Sequence, residues 1–266
     1  MYKIGVIGCG NMGEAILKCV RNKYSISIHE KDKGRCAYIR SQYKLDGEDL
    51  ETVVENSDVI IIAVKPQDIE GALKEIGLSM TSKKLLISIA AGITTAFIEK
   101  SFSRKIRVIR TMPNMPAIVG QGITALAPGR YAQESDIKMA CRIFDHLGKT
   151  VVVREGMMDT ITAVSGSGPG YVFLFMEYMI KAAESLGLKK DLSRELVETT
   201  FTGSVQLLEK QKVEAAVLRS KVTSKGGTTE AAIEVFDKNH LDQIMKEALT
   251  AARRRAAELR KEITNG

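Results

Sequence analysis

The sequence predicts an α/β protein: a doubly wound, mostly parallel sheet in the N-terminal half, followed by an all-α C-terminal domain. Three observations carry this expectation. Up to about residue 153, short β-branched runs alternate with helical segments, the pattern of buried parallel strands. Gly8-x-Gly10-x-x-Gly13 stands directly after the first run and opens a helix. Beyond Met158 the runs give way to long segments of 3.6-residue period. We therefore expect one domain over residues 1–157 and a second over 158–266, with no low-complexity tether between them.

The strands are expected at Lys3-Ile4-Gly5-Val6-Ile7, then at residues 25–30, 59–64, 85–89 and 107–110, with a last one at Thr150-Val151-Val152-Val153. A helix runs from the glycine motif through Val20. In the second half helices are expected over residues 170–186, 193–210, 229–236 and 241–263. Gly168-Pro169 precedes the first of them, with proline suited to an opening turn. Asp191 or Ser193 is the N-cap candidate for the second. Tyr171-Val172-Phe173-Leu174-Phe175-Met176 is too apolar to stay in water, so this domain is expected to bury a face in a dimer.

Composition narrows the class. Hydrophobic residues make up 44% of the 266 and charged residues 27%, as in an ordinary globular protein. No apolar run is long enough to span a bilayer, and strand character by Ile4 leaves no room for a signal peptide, so a cytoplasmic protein with no membrane partner is expected. Cys9, Cys19, Cys36 and Cys141 form no C-x-x-C pair and the three histidines do not cluster, so no metal site is expected. The net charge of +7 is spread along the chain, and aromatics that could stack on bases are only 5% with no Trp. Nucleic acid is not indicated; a basic surface suits small anionic ligands.

The glycine motif has the context of a dinucleotide fingerprint, so the sheet is expected to be of the Rossmann type. Gly8 permits the tight turn, Gly10 lets the backbone approach a pyrophosphate, and Gly13 lets helix pack on strand. The helix N-terminus favours the phosphate charge. Glu30 ends the second strand, where an acidic side chain accepts from the adenine-ribose hydroxyls and repels a 2′-phosphate. That favours NADH slightly; Lys31, Lys33 and Arg35 nearby keep NADPH open. Ala63-Val64-Lys65-Pro66 ends another strand at the ligand edge of the sheet, and Lys65 is assigned to the cofactor. The small residues of Ser88-Ile89-Ala90-Ala91-Gly92 leave room for a nicotinamide ring.

A second anion site is expected late in the chain, at Val222-Thr223-Ser224-Lys225-Gly226-Gly227-Thr228-Thr229. Paired glycines can turn their amides toward one point. The threonines that follow can cap the next helix and put hydroxyls beside the anion. A small carboxylate held next to an O–H donor is the expected ligand.

Five segments in order are similar to a known family: the glycine motif with Asn11-Met12; Ala63-Val64-Lys65-Pro66; Arg110-Thr111-Met112-Pro113-Asn114-Met115-Pro116; Ser165-Gly166-Ser167-Gly168-Pro169; and residues 222–229. Together they resemble pyrroline-5-carboxylate reductase over essentially the full chain. The resemblance implies a helical dimerisation domain, a homodimer or a decamer built as a pentamer of dimers, and reduction of a cyclic imine to L-proline by NADPH or NADH. It implies that Ser224, Gly226, Gly227 and Thr228 hold the substrate carboxylate and that Thr229, the catalytic candidate, hydrogen-bonds the ring nitrogen. It also implies that Ile7, Gly8, Cys9, Gly10, Asn11 and Met12, with Ala63, Lys65 and Pro66, line the cofactor, to which the motif and strand-end reading adds Gly13 and Val64. Two positions depart from the family. Lys225 stands where proline is usual, and Glu30-Lys31 where a neutral Asn-Arg-type pair is common.

Such a reaction needs little acid catalysis, because a protonated imine is already electrophilic; positioning and charge stabilisation suffice. The alternatives on this architecture are another imine reductase or a β-hydroxyacid dehydrogenase. The latter wants a lysine on the first helix of the second domain, and Lys181 lies well inside that helix. A non-catalytic dinucleotide-binding sensor would have no use for a carboxylate loop.

Overall fold

Strand and helix alternate through the first half because each β-branched run can bury both of its faces. In the computed structural model, which describes residues 2–265, seven strands form one sheet in the order β2-β1-β3-β4-β5-β6-β7. They are β1 (Lys3–Ile7), β2 (Ser25–His29), β3 (Val59–Ile62), β4 (Leu85–Ser88), β5 (Arg107–Met112), β6 (Gly122–Pro128) and β7 (Gly148–Val152). All neighbours are parallel except β5 and β6. The linking helices are α1 (Asn11–Val20), α2 (Lys33–Tyr43), α3 (Leu50–Glu55), α4 (Ile69–Ile76), α5 (Thr95–Lys100), α6 (Glu134–Phe144) and the short α7 (Met158–Ile161).

Alternation along the strands divides the core into two layers, which makes the sheet doubly wound. Val6, Ile61, Ile87 and Ile109 pack with Ile16, Leu17 and Val20 of α1 and with Ile143 and Phe144 of α6. Ile7, Ile60, Ile62, Leu86 and Val108 face the other way, against Val54, Ile69, Leu73, Ile76 and Ile98. Each such side chain contributes about 1.5–3 kcal/mol of transfer free energy, so the two layers together hold the sheet.

Several boundaries differ from the sequence expectation. The expected run over residues 59–64 stops pairing at Ile62: Ala63 still donates its amide to Ile7, but Lys65-Pro66 then opens a 3₁₀ turn. The strand Gly122–Pro128 was not expected at all. Its sequence GITALAP starts with Gly, ends with Pro and has β-branched residues only at Ile123 and Thr124, so its strand character comes largely from pairing with β5 and β7. That pairing also carries β5 on to Met112, and β7 begins at Gly148, two residues before the expected Thr150.

The remaining helices are α8 (Gly168–Ser185), α9 (Lys190–Gln211), α10 (Ala215–Val222), α11 (Thr228–Lys238) and α12 (Leu241–Asn265). Residues 168–250 form one compact unit; residues 2–167 together with 251–265 form the other. Within the helical unit α8 packs on α9. The N-cap of α9 is Lys189, not Asp191 or Ser193. Asp191 lies in the first turn, where it suits the helix dipole, and the Ser193 hydroxyl is buried and bonds back to the Lys189 carbonyl at 3.1 Å. In this unit only Ser193 and Val197 are buried, while Val172, Phe173, Leu174, Phe175, Tyr178 and Met179 are all exposed in the single chain. Helices with that much bare apolar surface gain their stability from a second chain.

Candidate active site

The turn expected to hold the first anion is built by glycines, two of which have their side-chain positions taken. Gly8 has φ +90°, and a Cβ there would lie 2.9 Å from the Ala63 carbonyl carbon. A Cβ on Gly13 would collide with the Gly8 carbonyl oxygen, whereas one on Gly10 would meet nothing within 4 Å. The space Gly10 leaves is therefore open to a ligand, as a pyrophosphate cradle requires. Gly10 is also the N-cap of α1, with no side-chain cap, and the first helical bond runs from Glu14 to Gly10. The amides of Asn11, Met12 and Gly13 precede that bond and have no intrahelical acceptor, which suits phosphate.

A cleft of about 520 Å³ lies beside this turn. Of the residues expected to bind cofactor, Ile7, Gly8, Gly10, Glu30, Ala63, Val64 and Lys65 line it. Cys9, Asn11, Met12, Gly13 and Pro66 do not line it. Cys9 is buried; its thiol is pushed up to about 12, first by burial and then by the Glu30 carboxylate, so it stays protonated and inert. Ser88 and Ala90 are buried outside the lining, with Ser88 accepting from Thr111 Oγ1 through its carbonyl. Residues that sequence reasoning did not single out also line the cleft, among them Leu50, Gly71, Ala72 and Glu75. On α4, Glu75 follows Gly71 and Ala72 by about one helical turn, a signal visible only once the helix is known to face the strand ends.

Glu30 is tied into the turn itself. One carboxylate oxygen accepts from the Cys9 amide at 2.7 Å and the other from the Asp32 amide at 2.9 Å. The neighbouring cations are engaged as well. Lys31 pairs with Glu75 at 2.9 Å, and Arg35 bonds both the Glu14 carboxylate and the Cys9 carbonyl. Glu14 gathers Tyr43, Arg35 and Tyr38. Burial alone would raise its pKa, but hydrogen bonds from Tyr43 and Arg35 outweigh burial and hold it below the usual carboxylate range. The Tyr43 hydroxyl is pushed up to about 12 by burial and by that same carboxylate.

The loop expected to hold a second anion lies in the helical unit, at the start of α11. Gly227 donates to the Ser224 carbonyl at 2.9 Å and Gly226 has φ +72°, which makes residues 224–227 a turn of type II character with Lys225 at its second position. Gly227 cannot carry a Cβ, since one would press on Ser224. Neither threonine caps α11, contrary to expectation. The N-cap is Gly227, with Thr228 and Thr229 already in the first turn. The first helical bond runs from Ala231 to Gly227, so the amides of Thr228, Thr229 and Glu230 have no intrahelical acceptor. The Gly226 amide donates to Glu230 Oε2 at 2.6 Å.

Two sequence segments to which no role was attached meet within the first unit. Asn114 donates from Nδ2 to the Ser165 carbonyl and accepts the Ile123 amide at 2.9 Å. Residues Thr162–Gly166 form a π-helical turn, closed by the Ser167 amide on the Thr162 carbonyl. A Cβ on Gly166 would meet the Met112 side chain at 2.6 Å, so its glycine lets this turn rest on the end of β5. Behind them Arg110 is buried and pairs with Glu155 at 2.9 Å, and Glu155 also accepts from the Thr95 hydroxyl at 2.6 Å.

Among the described residues, no group of three or more His, Cys, Asp or Glu could hold a metal ion, and no helix is long and apolar enough to cross a membrane. Comparison with known families matches residues 155–259 to pyrroline-5-carboxylate reductase dimerisation and residues 3–92 to NADP oxidoreductase, coenzyme F420-dependent. The pyrroline-5-carboxylate reductase of Pseudomonas aeruginosa is 34% identical over 98% of this chain and 98% of its own length. A pyrroline-5-carboxylate reductase structure from Coxiella burnetii superposes with a TM-score of 0.90 at 35% identity, covering 97% of this chain and 98% of that one. The Plasmodium falciparum enzyme, solved with NADP bound, gives 0.86 at 30% identity over 97% and 98%.

Proposed function

This chain belongs to the pyrroline-5-carboxylate reductase family, and from that premise we infer that it reduces the cyclic imine 1-pyrroline-5-carboxylate to L-proline, the last step of proline biosynthesis, with a nicotinamide dinucleotide. The observation that carries the reading is a pair of helix N-termini of like construction, each capped by glycine and left without a side-chain cap, at Gly10 and at Gly227. One suits a pyrophosphate, the other a small carboxylate.

In this reading residues 1–157 serve as the dinucleotide-binding domain and residues 158–266 as the dimerisation and substrate domain. The cofactor supplies a hydride to the imine carbon. Gly8, Gly10 and Gly13 hold its pyrophosphate, Glu30 accepts from the adenine ribose, and Ile7, Ala63, Val64 and Lys65 line its path. Ser224, Gly226, Gly227 and Thr228 hold the substrate carboxylate, and Thr229 hydrogen-bonds the ring nitrogen, its hydroxyl oxygen accepting from the iminium N–H. No strong acid is required of the chain, because the imine nitrogen carries its own positive charge in the reactive form; orientation supplies the acceleration. Glu30 favours NADH over NADPH. The protein works in the cytoplasm as a homodimer, with assembly to a pentamer of dimers. A β-hydroxyacid dehydrogenase is less well supported, since Lys181 is spent on an exposed ion pair with Glu177.

The test is oxidation of NADH and NADPH with pyrroline-5-carboxylate, run beside 2-hydroxy and 3-hydroxy acids with the oxidised cofactors. Turnover with the imine alone is expected; absence of turnover with either cofactor would sink the reading.

A further inference from the structure

Three cations line the cleft, Lys31, Arg35 and Lys65, and the two that follow Glu30 in the chain are already held by carboxylates. Lys31, next after Glu30, meets Glu75 of α4 at 2.9 Å, and both residues line the cleft. Arg35 is held by Glu14 and by the Cys9 carbonyl, the latter at 2.6 Å. A dinucleotide that carries an adenosine 2′-phosphate brings about −1.5 to −2 further charge at neutral pH and needs an unpaired cation to receive it. Here it meets the Glu30 carboxylate first, and beyond it a lysine whose charge is committed across the cleft.

We propose that Glu75 is a cofactor-specificity residue: by pairing with Lys31 it withholds that cation from an adenosine 2′-phosphate and, with Glu30, favours NADH. This rests on the dinucleotide reading of the cleft and deepens it. The two ion pairs are not equal. Lys31 and Glu75 are 68% and 48% exposed, so water screens their attraction and a phosphate can compete for Lys31. Arg35 and Glu14 are 27% and 20% exposed and share further bonds with Cys9, Tyr38 and Tyr43, so that pair stays closed. Lys31 is thus the cation that can be released, and Glu75 sets how readily. Glu75 makes this choice through another side chain, so it positions Lys31 and does not itself bind the phosphate.

The experiment is direct binding of NADH and NADPH to the full-length protein, read by the cofactors' own fluorescence with no imine present. Glu75→Gln should tighten NADPH about two- to fivefold and leave NADH unchanged, the size expected for one screened ion pair. Glu75→Asp, which keeps the charge, should keep the wild-type preference. Glu75→Gln combined with Lys31→Ala should show no gain for NADPH. An equal shift for both cofactors, no shift at all, or a gain that survives Lys31→Ala would overturn the proposal. If the NADPH shift appears but the imine is not reduced, the substrate reading fails and the role of Glu75 stands. If the wild-type protein binds neither dinucleotide, both fall.

Discussion

The backbone amide of Gly226 donates to the side chain of Glu230 at 2.6 Å, so a carboxylate of the chain already sits on the loop proposed to hold a substrate carboxylate. Charge-assisted bonds of this kind are strong, and a second carboxylate arriving at the same amides meets both competition and repulsion. Glu230→Gln keeps the shape and removes the charge. We expect a two- to tenfold lower KM for the imine with kcat little changed, measured by steady-state kinetics at saturating cofactor. An unchanged KM would mean that Glu230 swings clear without cost.

Lys225 occupies the second position of the turn over residues 224–227, where φ near −60° is needed and proline is favoured. Among the described residues no hydrogen bond from the Lys225 amide is present, so proline would forfeit none. Lys225→Pro should stabilise the protein by about 0.4–1 kcal/mol, chiefly by narrowing the unfolded ensemble. Urea unfolding at fixed protomer concentration is the check; destabilisation would show that the turn departs from the proline-compatible geometry.

Thr229 lies in the first turn of α11 and is not its cap. With no cap to lose, Thr229→Ala should cost little stability, and the proposed role predicts a catalytic loss. We expect kcat/KM to fall about 10- to 100-fold, the size of a lost hydrogen bond to a charged group, with cofactor affinity and melting temperature nearly constant. Thr229→Ser should recover most of the rate.

Arg110 is 2% exposed and depends on Glu155, which is 30% exposed. Removing the carboxylate strands a buried charge, so Glu155→Ala should cost about 3 kcal/mol. The double variant Arg110→Met with Glu155→Leu should be less destabilised than the single one, because it removes the stranded charge with its partner. Chemical denaturation of both decides; additive losses would contradict the coupling.

Glu14 has a lowered pKa in the folded protein, so its network stabilises fully above the ordinary carboxylate value of 4.5 and that contribution is lost as pH falls through the lowered value. Tyr43 has the opposite sign. Its folded value of about 12 exceeds the ordinary 10.0, so its contribution holds below 10 and fades as pH rises toward 12. Glu14→Gln should flatten the acid limb of a stability-against-pH curve and bring the Tyr43 titration down toward its ordinary value. An acid limb identical to wild type would exclude Glu14 as a source of the pH dependence.

Much of this was legible in residue order alone. The glycine spacing around Gly8, the apolar strand runs, and the change of texture beyond Met158 are local patterns with local causes, and they place the sheet, the glycine turn and the helical part. The strand Gly122–Pro128 was not legible, because its small residues take strand form only through β5 and β7 on either side. The caps of α9 and α11 were misplaced by a few residues, since serine, threonine and aspartate serve a first turn as readily as a cap.

By itself, then, the sequence determined a glycine turn with dinucleotide-motif spacing after the first strand, a paired-glycine loop ahead of a late helix, and helices too apolar to stand alone. The tertiary structure decided who is paired with whom: Lys31 with Glu75, Arg35 with Glu14, Gly226 with Glu230, and Arg110 with Glu155. Turns and periodicities depend on neighbours in the chain and can be read from it. Apart from Gly226 and Glu230, one helical turn apart, these partners lie 21 to 45 residues apart, and only the folded sheet brings them within hydrogen-bond reach.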